Sequence, residues 1–231
     1  MPKKKTKKIP DGLIVLKNQD KGFHEKWEPG ANMLDFPHPF RGLLAGPPGV
    51  GKTMLIKNVI VRQNPPFDRI IVCHNDAGFT MEYDDLDDVE MRPDVPGTEE
   101  HDGDTKTLVV LDDLEFSSMT KDDMKKLDRC CGYDSTHKNL SVLVTSQTFV
   151  RLPTIVRRCC NLHIVWKTDP IQLRAISQRT GVDLQKVFDA VGNEDRDSIW
   201  VDRTPGTPYP LRLNGFTPLS KKTNSKVEDS P

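Results

Sequence analysis

The stretch Gly46-Pro47-Pro48-Gly49-Val50-Gly51-Lys52-Thr53 constrains this chain more than any other. It satisfies every fixed position of the phosphate-binding pattern G-x-x-x-x-G-K-[ST]. Small residues let successive backbone N–H groups curl around phosphate oxygens. Lys52 is then placed for the β- and γ-phosphates of a nucleoside triphosphate, and the Thr53 hydroxyl for Mg²⁺. The flanks agree. Phe40–Ala45 is an apolar run of strand length, and Leu55, Ile56, Val59 and Ile60 share one helical face. Phosphate would therefore meet a helix N-terminus. The pattern predicts an ATP-binding loop whose eight residues, Gly46 to Thr53, form the cofactor site.

Around this loop, 231 residues with 35% hydrophobic content predict one α/β domain with tails. The expected boundaries are a disordered basic tail over 1–12, an ATPase domain over 13–216 and a disordered tail over 217–231. Within the domain, the core spans about 36–190 and an acidic surface insertion about 82–104. The formal net charge of −1 argues neither for nor against nucleic acid. No apolar run reaches the roughly 18 residues of a membrane helix, so no transmembrane segment is expected. The chain does not open on a signal peptide. The five cysteines include two adjacent pairs and no C-x-x-C, which predicts reduced, mostly buried thiols in an intracellular protein.

Residues 1–8 hold Lys3, Lys4, Lys5, Lys7 and Lys8, a run similar to a nuclear import signal or suited to a DNA-phosphate contact. Leu13–Leu16 is a candidate short strand. Buried strands are expected at Arg69–Cys73, Thr107–Leu111, Leu140–Ser146 and Leu162–Trp166. Between Glu82 and Asp104 stand eleven acidic residues and the single Arg92, a composition that predicts a solvated segment kept extended by self-repulsion. Thr120–Asp123 reads as a capping box opening a helix with Met124, Leu127 and Cys131 inward. Asp169-Pro170 opens another helix that ends at Gly181, and Asp183 opens a third, with Gly192 beyond it. Ser198–Val201 and Tyr209–Leu213 are candidates for a terminal β-ribbon.

Chemistry gathers at strand ends. Leu108–Leu111 delivers Asp112 beside Thr53, where the two would hold Mg²⁺ directly or through water. Asp113 is then the candidate base for the attacking water, with Glu115 as the alternative. The strand Leu140–Ser146 ends at Thr145-Ser146-Gln147. In one large division of phosphate-loop ATPases such a strand lies between the loop strand and the acidic strand. There it would aim Gln147 at the γ-phosphate. The predicted fold is thus a three-layer sandwich of the P-loop NTPase, RecA-like class, with a mostly parallel sheet of about five strands. Arg151, Arg157 and Arg158 follow. Arg157 is the expected transition-state cation, supplied to a neighbouring subunit, with Arg158 as the alternative.

The order of motifs resembles the DNA-packaging ATPases of large double-stranded DNA viruses of the poxvirus type, within the HerA–FtsK superfamily, and those of virophages and self-synthesising transposons. It is carried by Pro39-Phe40-Arg41, Gly46–Thr53, Leu111-Asp112-Asp113-Leu114, His137–Val142, Gln147, Leu152-Pro153 and Ile155-Val156-Arg157, over about residues 36–190. The resemblance implies a homo-oligomeric ring, pentamer or hexamer, that hydrolyses ATP to drive double-stranded DNA into a preformed capsid. It implies a capsid or membrane protein partner at the packaging vertex, and a place in the infected cell, its nucleus or the virion. Asp113 departs from the wider superfamily, which usually has Glu there.

Two other classes compete. A nucleoside kinase asks for an arginine-rich lid and a nucleoside pocket, and the sequence offers neither. An AAA+-like or helicase-type replication ATPase shares the nucleotide core, but in the AAA+ form asks for a helical lid domain. About 40 residues after the last helix are too few for such a lid.

Overall fold

A computed structural model describes Leu34, residues 36–191 and residues 196–219. The basic tail over 1–12, the candidate strand Leu13–Leu16, Gly192 and residues 220–231 lie outside the described residues.

Burial on both faces of the sheet explains the layers. β1 (Arg41–Ala45), β2 (Arg69–Cys73), β4 (Thr107–Leu111), β5 (Leu140–Ser146) and β6 (Leu162–Trp166) are almost wholly buried, as the central strands of a parallel sheet must be. On one face Leu44, Val72, Val110 and Leu143 pack with Ile56, Val59 and Ile60 of α1 (Lys52–Arg62). On the other, Leu43, Ile71, Val109 and Val144 meet Leu127 of α2 (Lys121–Arg129) and Val156 of α4 (Thr154–Cys159). Leu173 and Ile176 of α5 (Pro170–Thr180) and Phe188 of α6 (Leu184–Val191) complete that layer. α2 runs through a π turn, Cys130–Asp134, into the short α3 (Ser135–His137) before β5.

The sheet has nine strands in the order β3-β2-β4-β5-β1-β6-β7-β8-β9, more than the expected five. Six are parallel. β7 (Ser198–Asp202), β8 (Leu211–Leu213) and β9 (Thr217–Pro218) extend it antiparallel beyond β6. The terminal ribbon expected over Ser198–Val201 and Tyr209–Leu213 therefore continues the main sheet. Thr217 and Pro218, expected in the disordered tail, pair with β8 instead.

The acidic segment corrects a second expectation. It contributes an edge strand, β3 (Val89–Arg92), parallel to β2. Self-repulsion does not keep the segment extended, because its one arginine is shared. Arg92 meets Glu100 at 2.6 Å, Asp94 at 2.7 Å and Glu90 at 3.4 Å, while Arg69 holds Glu90 at 2.7 Å. Lys57 of α1 pairs with Asp85. Half-exposed along its length, β3 alternates Val89 and Met91 with Glu90 and Arg92, so it carries no continuous apolar run to announce it.

Hydrogen bonds from Arg92 hold the Asp94 carboxyl below its usual range. Burial pushes Glu100 up, but the Arg92 and Gly97 N–H donors outweigh it, and its net shift is also downward. A carboxylate with a lowered folded pKa adds stability above its unfolded value, roughly pH 4, and loses it as pH falls through the folded value. Arg92→Met is expected to lower stability at neutral pH by about 1 kcal/mol. It should also flatten the decline on acidification toward pH ~3. Thermal melts across that range check this; parallel declines in both proteins would contradict it.

Candidate functional site

The loop leaves β1 at Ala45, and the Gly46 N–H donates to the Ser146 carbonyl at 3.1 Å. A Cβ on Gly46 would stand 2.8 Å from Cβ of Trp166, so only glycine fits between β1 and β6. Gly51, the N-cap of α1, has φ 101°, a left-handed conformation that glycine adopts freely. The first turn of α1 carries no acidic residue, which keeps its positive end open to an anion. Lys52 Nζ folds over the loop and donates to the carbonyls of Gly46 at 2.9 Å and Pro47 at 2.8 Å. Burial lowers the Lys52 pKa, against the pull of Asp112 and Asp113.

β5 lies between β1 and β4, as the strand-end chemistry predicted. That order brings Thr145 against the two aspartates. Thr145 Oγ1 donates to Asp112 Oδ1 at 2.8 Å and accepts the Asp113 N–H at 2.9 Å. Asp112 is 3% exposed, whereas Asp113 faces solvent. The neighbours part because Asp113 takes φ 50°, a left-handed turn that Asp tolerates better than most residues. Gln147 Nε2 donates to Asp113 Oδ1 at 3.2 Å, and Asn75 Nδ2 donates to the Asp113 carbonyl at 3.0 Å.

The donor set suits Mg²⁺. Thr53 Oγ1 lies 3.3 Å from Asp112 Oδ2. Adjacent ligands of an octahedral cation at 2.0–2.1 Å stand about 3 Å apart, so a small shift admits the ion between them. Among the described residues no three His, Cys, Asp or Glu side chains form a metal cage, so most ligands would be water and phosphate oxygens.

A cleft of about 360 Å³ opens beside Asp113, lined among others by Glu115, Gln147 and Arg151. Glu115 accepts from Ser117 at 3.1 Å and does not touch Asp113's partners. Arg157 does not line this cleft. Its Nη2 turns back to Thr154 on α4 at 3.4 Å. Arg151 is the arginine brought to the cleft.

No protein-family model matches the chain, and no curated protein sequence matches it. Solved structures do. The genome-packaging NTPase B204 of Sulfolobus turreted icosahedral virus 2, in complex with AMPPCP, aligns with a TM-score of 0.56 at 15% identity. The alignment covers 79% of this chain and 99% of that one. B204 from Sulfolobus turreted icosahedral virus, described as the DNA-packaging ATPase, aligns with a TM-score of 0.53 at 16% identity, over 79% of this chain and 99% of that one. The chain shares the fold of these two NTPases. The order of motifs read from the sequence thus sits on the matching P-loop NTPase architecture.

Sequence reasoning missed Tyr83. Its hydroxyl donates to Asp112 Oδ2 at 2.7 Å from within the acidic segment, and the side chain is 3% exposed. Burial first, then the charge and hydrogen bond of Asp112, push the phenol pKa up, so it remains a donor. An apolar-bodied residue among acids was the one available signal. A hydrogen bond to a charged group contributes about 1.5–3 kcal/mol. Tyr83→Phe is therefore expected to raise the Mg²⁺ concentration for half-maximal nucleotide turnover by roughly tenfold, leaving metal-free nucleotide affinity unchanged. An unaltered Mg²⁺ dependence would reduce Tyr83 to a packing role.

Proposed function

We propose that this chain is a Mg²⁺-dependent ATPase that, as a homo-oligomeric ring of five or six subunits, drives double-stranded viral DNA into a preformed capsid. One observation carries the hydrolytic part: Thr145 ties a buried Asp112 and a solvent-facing Asp113 together at the mouth of a phosphate-binding loop. The likeness in fold to NTPases whose names say that they package viral genomes supports the rest.

Each side chain then has a task. The loop amides and Lys52 bind the triphosphate tail. Thr53 and Asp112 hold Mg²⁺, which when bound neutralises charge developing on the phosphates. Asp113 orients the attacking water and accepts its proton, and Gln147, bonded to Asp113, would hydrogen-bond that water or the γ-phosphate. Asp113 is preferred to Glu115 because it alone shares the hydrogen bonds of Thr145 and Gln147. Arg157 would serve the neighbouring subunit's nucleotide, since it does not line its own chain's cleft and its Nη2 bonds Thr154 instead.

The AAA+ alternative asks for a helical lid, whereas residues 196–219 extend the sheet as β7, β8 and β9. The capsid or membrane partner at the packaging vertex, and residence in the infected cell, its nucleus or the virion, belong to the same proposal. Nuclear entry would rest on Lys3–Lys8.

Asp113→Asn is expected to bind ATP normally and to hydrolyse it at least about a hundredfold more slowly, the usual loss for a general base. Glu115→Gln should retain most turnover. Single-turnover assays with saturating ATP decide between them, and the reverse ranking would make Glu115 the base.

A further inference from the structure

A motor that moves along a duplex needs a surface for its phosphates, and a net charge of −1 spread evenly would provide none. The charge is not spread evenly. Four arginines gather at the amino ends of β1 and β6, the end of the sheet away from the nucleotide loop. Arg41 opens β1, Arg158 precedes β6, Arg179 closes α5 and Arg203 follows β7. Their closeness is direct. Arg179 Nε donates to the Arg157 carbonyl at 2.6 Å, and its Nη2 donates to the carbonyl of Arg158. Arg203 Nη1 donates to the Arg179 carbonyl at 3.0 Å. Cys159, raised in pKa by burial, is drawn back down by the charges of Arg41, Arg158 and Arg179 together.

Counter-charge is missing. Among the described residues none of the four arginines forms an ion pair. The buried carboxylates Asp134 and Asp202 form no ion pair with the four, and the exposed Asp183 is held by Lys186 at 3.0 Å. Asp134 accepts from Thr98 at 3.1 Å, and Asp202 accepts from the Thr204 N–H at 2.9 Å and lies 3.7 Å from Arg212. Capping of helix ends explains part of the cluster, since Arg179 and Arg203 donate to the last carbonyls of α4 and α5. It leaves Arg158 unexplained, because Arg158 is exposed and its side chain makes no hydrogen bond within the described residues. It also leaves four like charges crowded together, an arrangement that an anion relieves.

We infer that these four arginines form the surface that grips the phosphodiester backbone of duplex DNA, with Arg158 and Arg203 outermost and Arg41 and Arg179 behind them. The inference rests on the translocation reading and gives it a location. Nucleotide would bind at the carboxyl ends of the strands and DNA at the amino ends, so the two polyanions do not compete for one site. Guanidinium forks suit phosphate oxygens, and a backbone contact of this kind carries no sequence preference.

Fluorescence anisotropy of a labelled random-sequence duplex, titrated with the full chain over a series of salt concentrations, tests it. Each neutralised phosphate contact adds about 0.9 to the salt slope. The double variant Arg158→Gln/Arg203→Gln is expected to bind several-fold to tenfold more weakly and to lose about 1.8 from that slope. A control pair at the opposite end of the sheet, Lys121→Gln/Lys167→Gln, should change neither. If loss of the Arg203 cap unfolds the double variant, Arg158→Gln alone disturbs no hydrogen bond and should still lose about 0.9. An unchanged slope in a folded variant of a chain that binds duplex would overturn the inference and leave the motor reading standing. Failure of the unaltered chain to bind duplex would overturn both. Loss of protein-concentration-dependent ATP turnover with duplex binding intact would assign the cluster to a neighbouring subunit's nucleotide and overturn it too.

Discussion

One hydroxyl holds the site together. Thr145 donates to Asp112 and accepts from the backbone of Asp113, and so pins the end of β4 to the end of β5. A threonine can do both because its oxygen is donor and acceptor at once. The geometry works only if β5 is the immediate neighbour of β4 on one side and of β1 on the other. The parallel register Leu111↔Val144 and Ala45↔Ser146 meets that condition. Loop, buried acid and solvent-facing acid are therefore fixed relative to one another by strand order.

The acidic aspartate pair is stabilised from a second direction. Tyr83 reaches Asp112 from the segment after β2, and Lys57 on α1 donates to the Glu82 carbonyl at 3.1 Å in that same segment. The helix that begins at the phosphate loop, the segment that carries Tyr83 and the acid that would hold Mg²⁺ are thus mechanically connected. Shifts of Thr53 on nucleotide binding would be felt along this path, since Thr53 and Tyr83 share Asp112 Oδ2. Close by, Phe79 and Met81 stand 91% and 77% exposed, in a segment otherwise anchored at its inner side.

Much of this was legible in residues. Buried parallel strands are continuous apolar runs, and the four runs at residues 69–73, 107–111, 140–146 and 162–166 are the observed strands to the residue. Local caps were equally readable: the Thr120–Asp123 box, Asp169 before Pro170, and Gly181 in the left-handed conformation after α5. What escaped depends on contacts distant in sequence. β3 is a four-residue edge strand in which charged residues alternate with Val89 and Met91, and it is held by Arg92 and its three carboxylates. β9 is two residues long. Tyr83 lies 29 residues from the aspartate it positions, and nothing local marks the pair. The left-handed turn at Asp113 likewise decides which aspartate is buried, where strand alternation alone suggested opposite sides.

The most direct measurement is ATP-driven displacement of a third strand from a triplex-bearing duplex by the full chain. A duplex-translocating motor strips that strand when ATP and Mg²⁺ are present. It stops doing so with a non-hydrolysable analogue, or when Lys52→Ala removes the charge facing the phosphates. Steady ATP hydrolysis without displacement, at protein concentrations that saturate the hydrolysis rate, would contradict translocation.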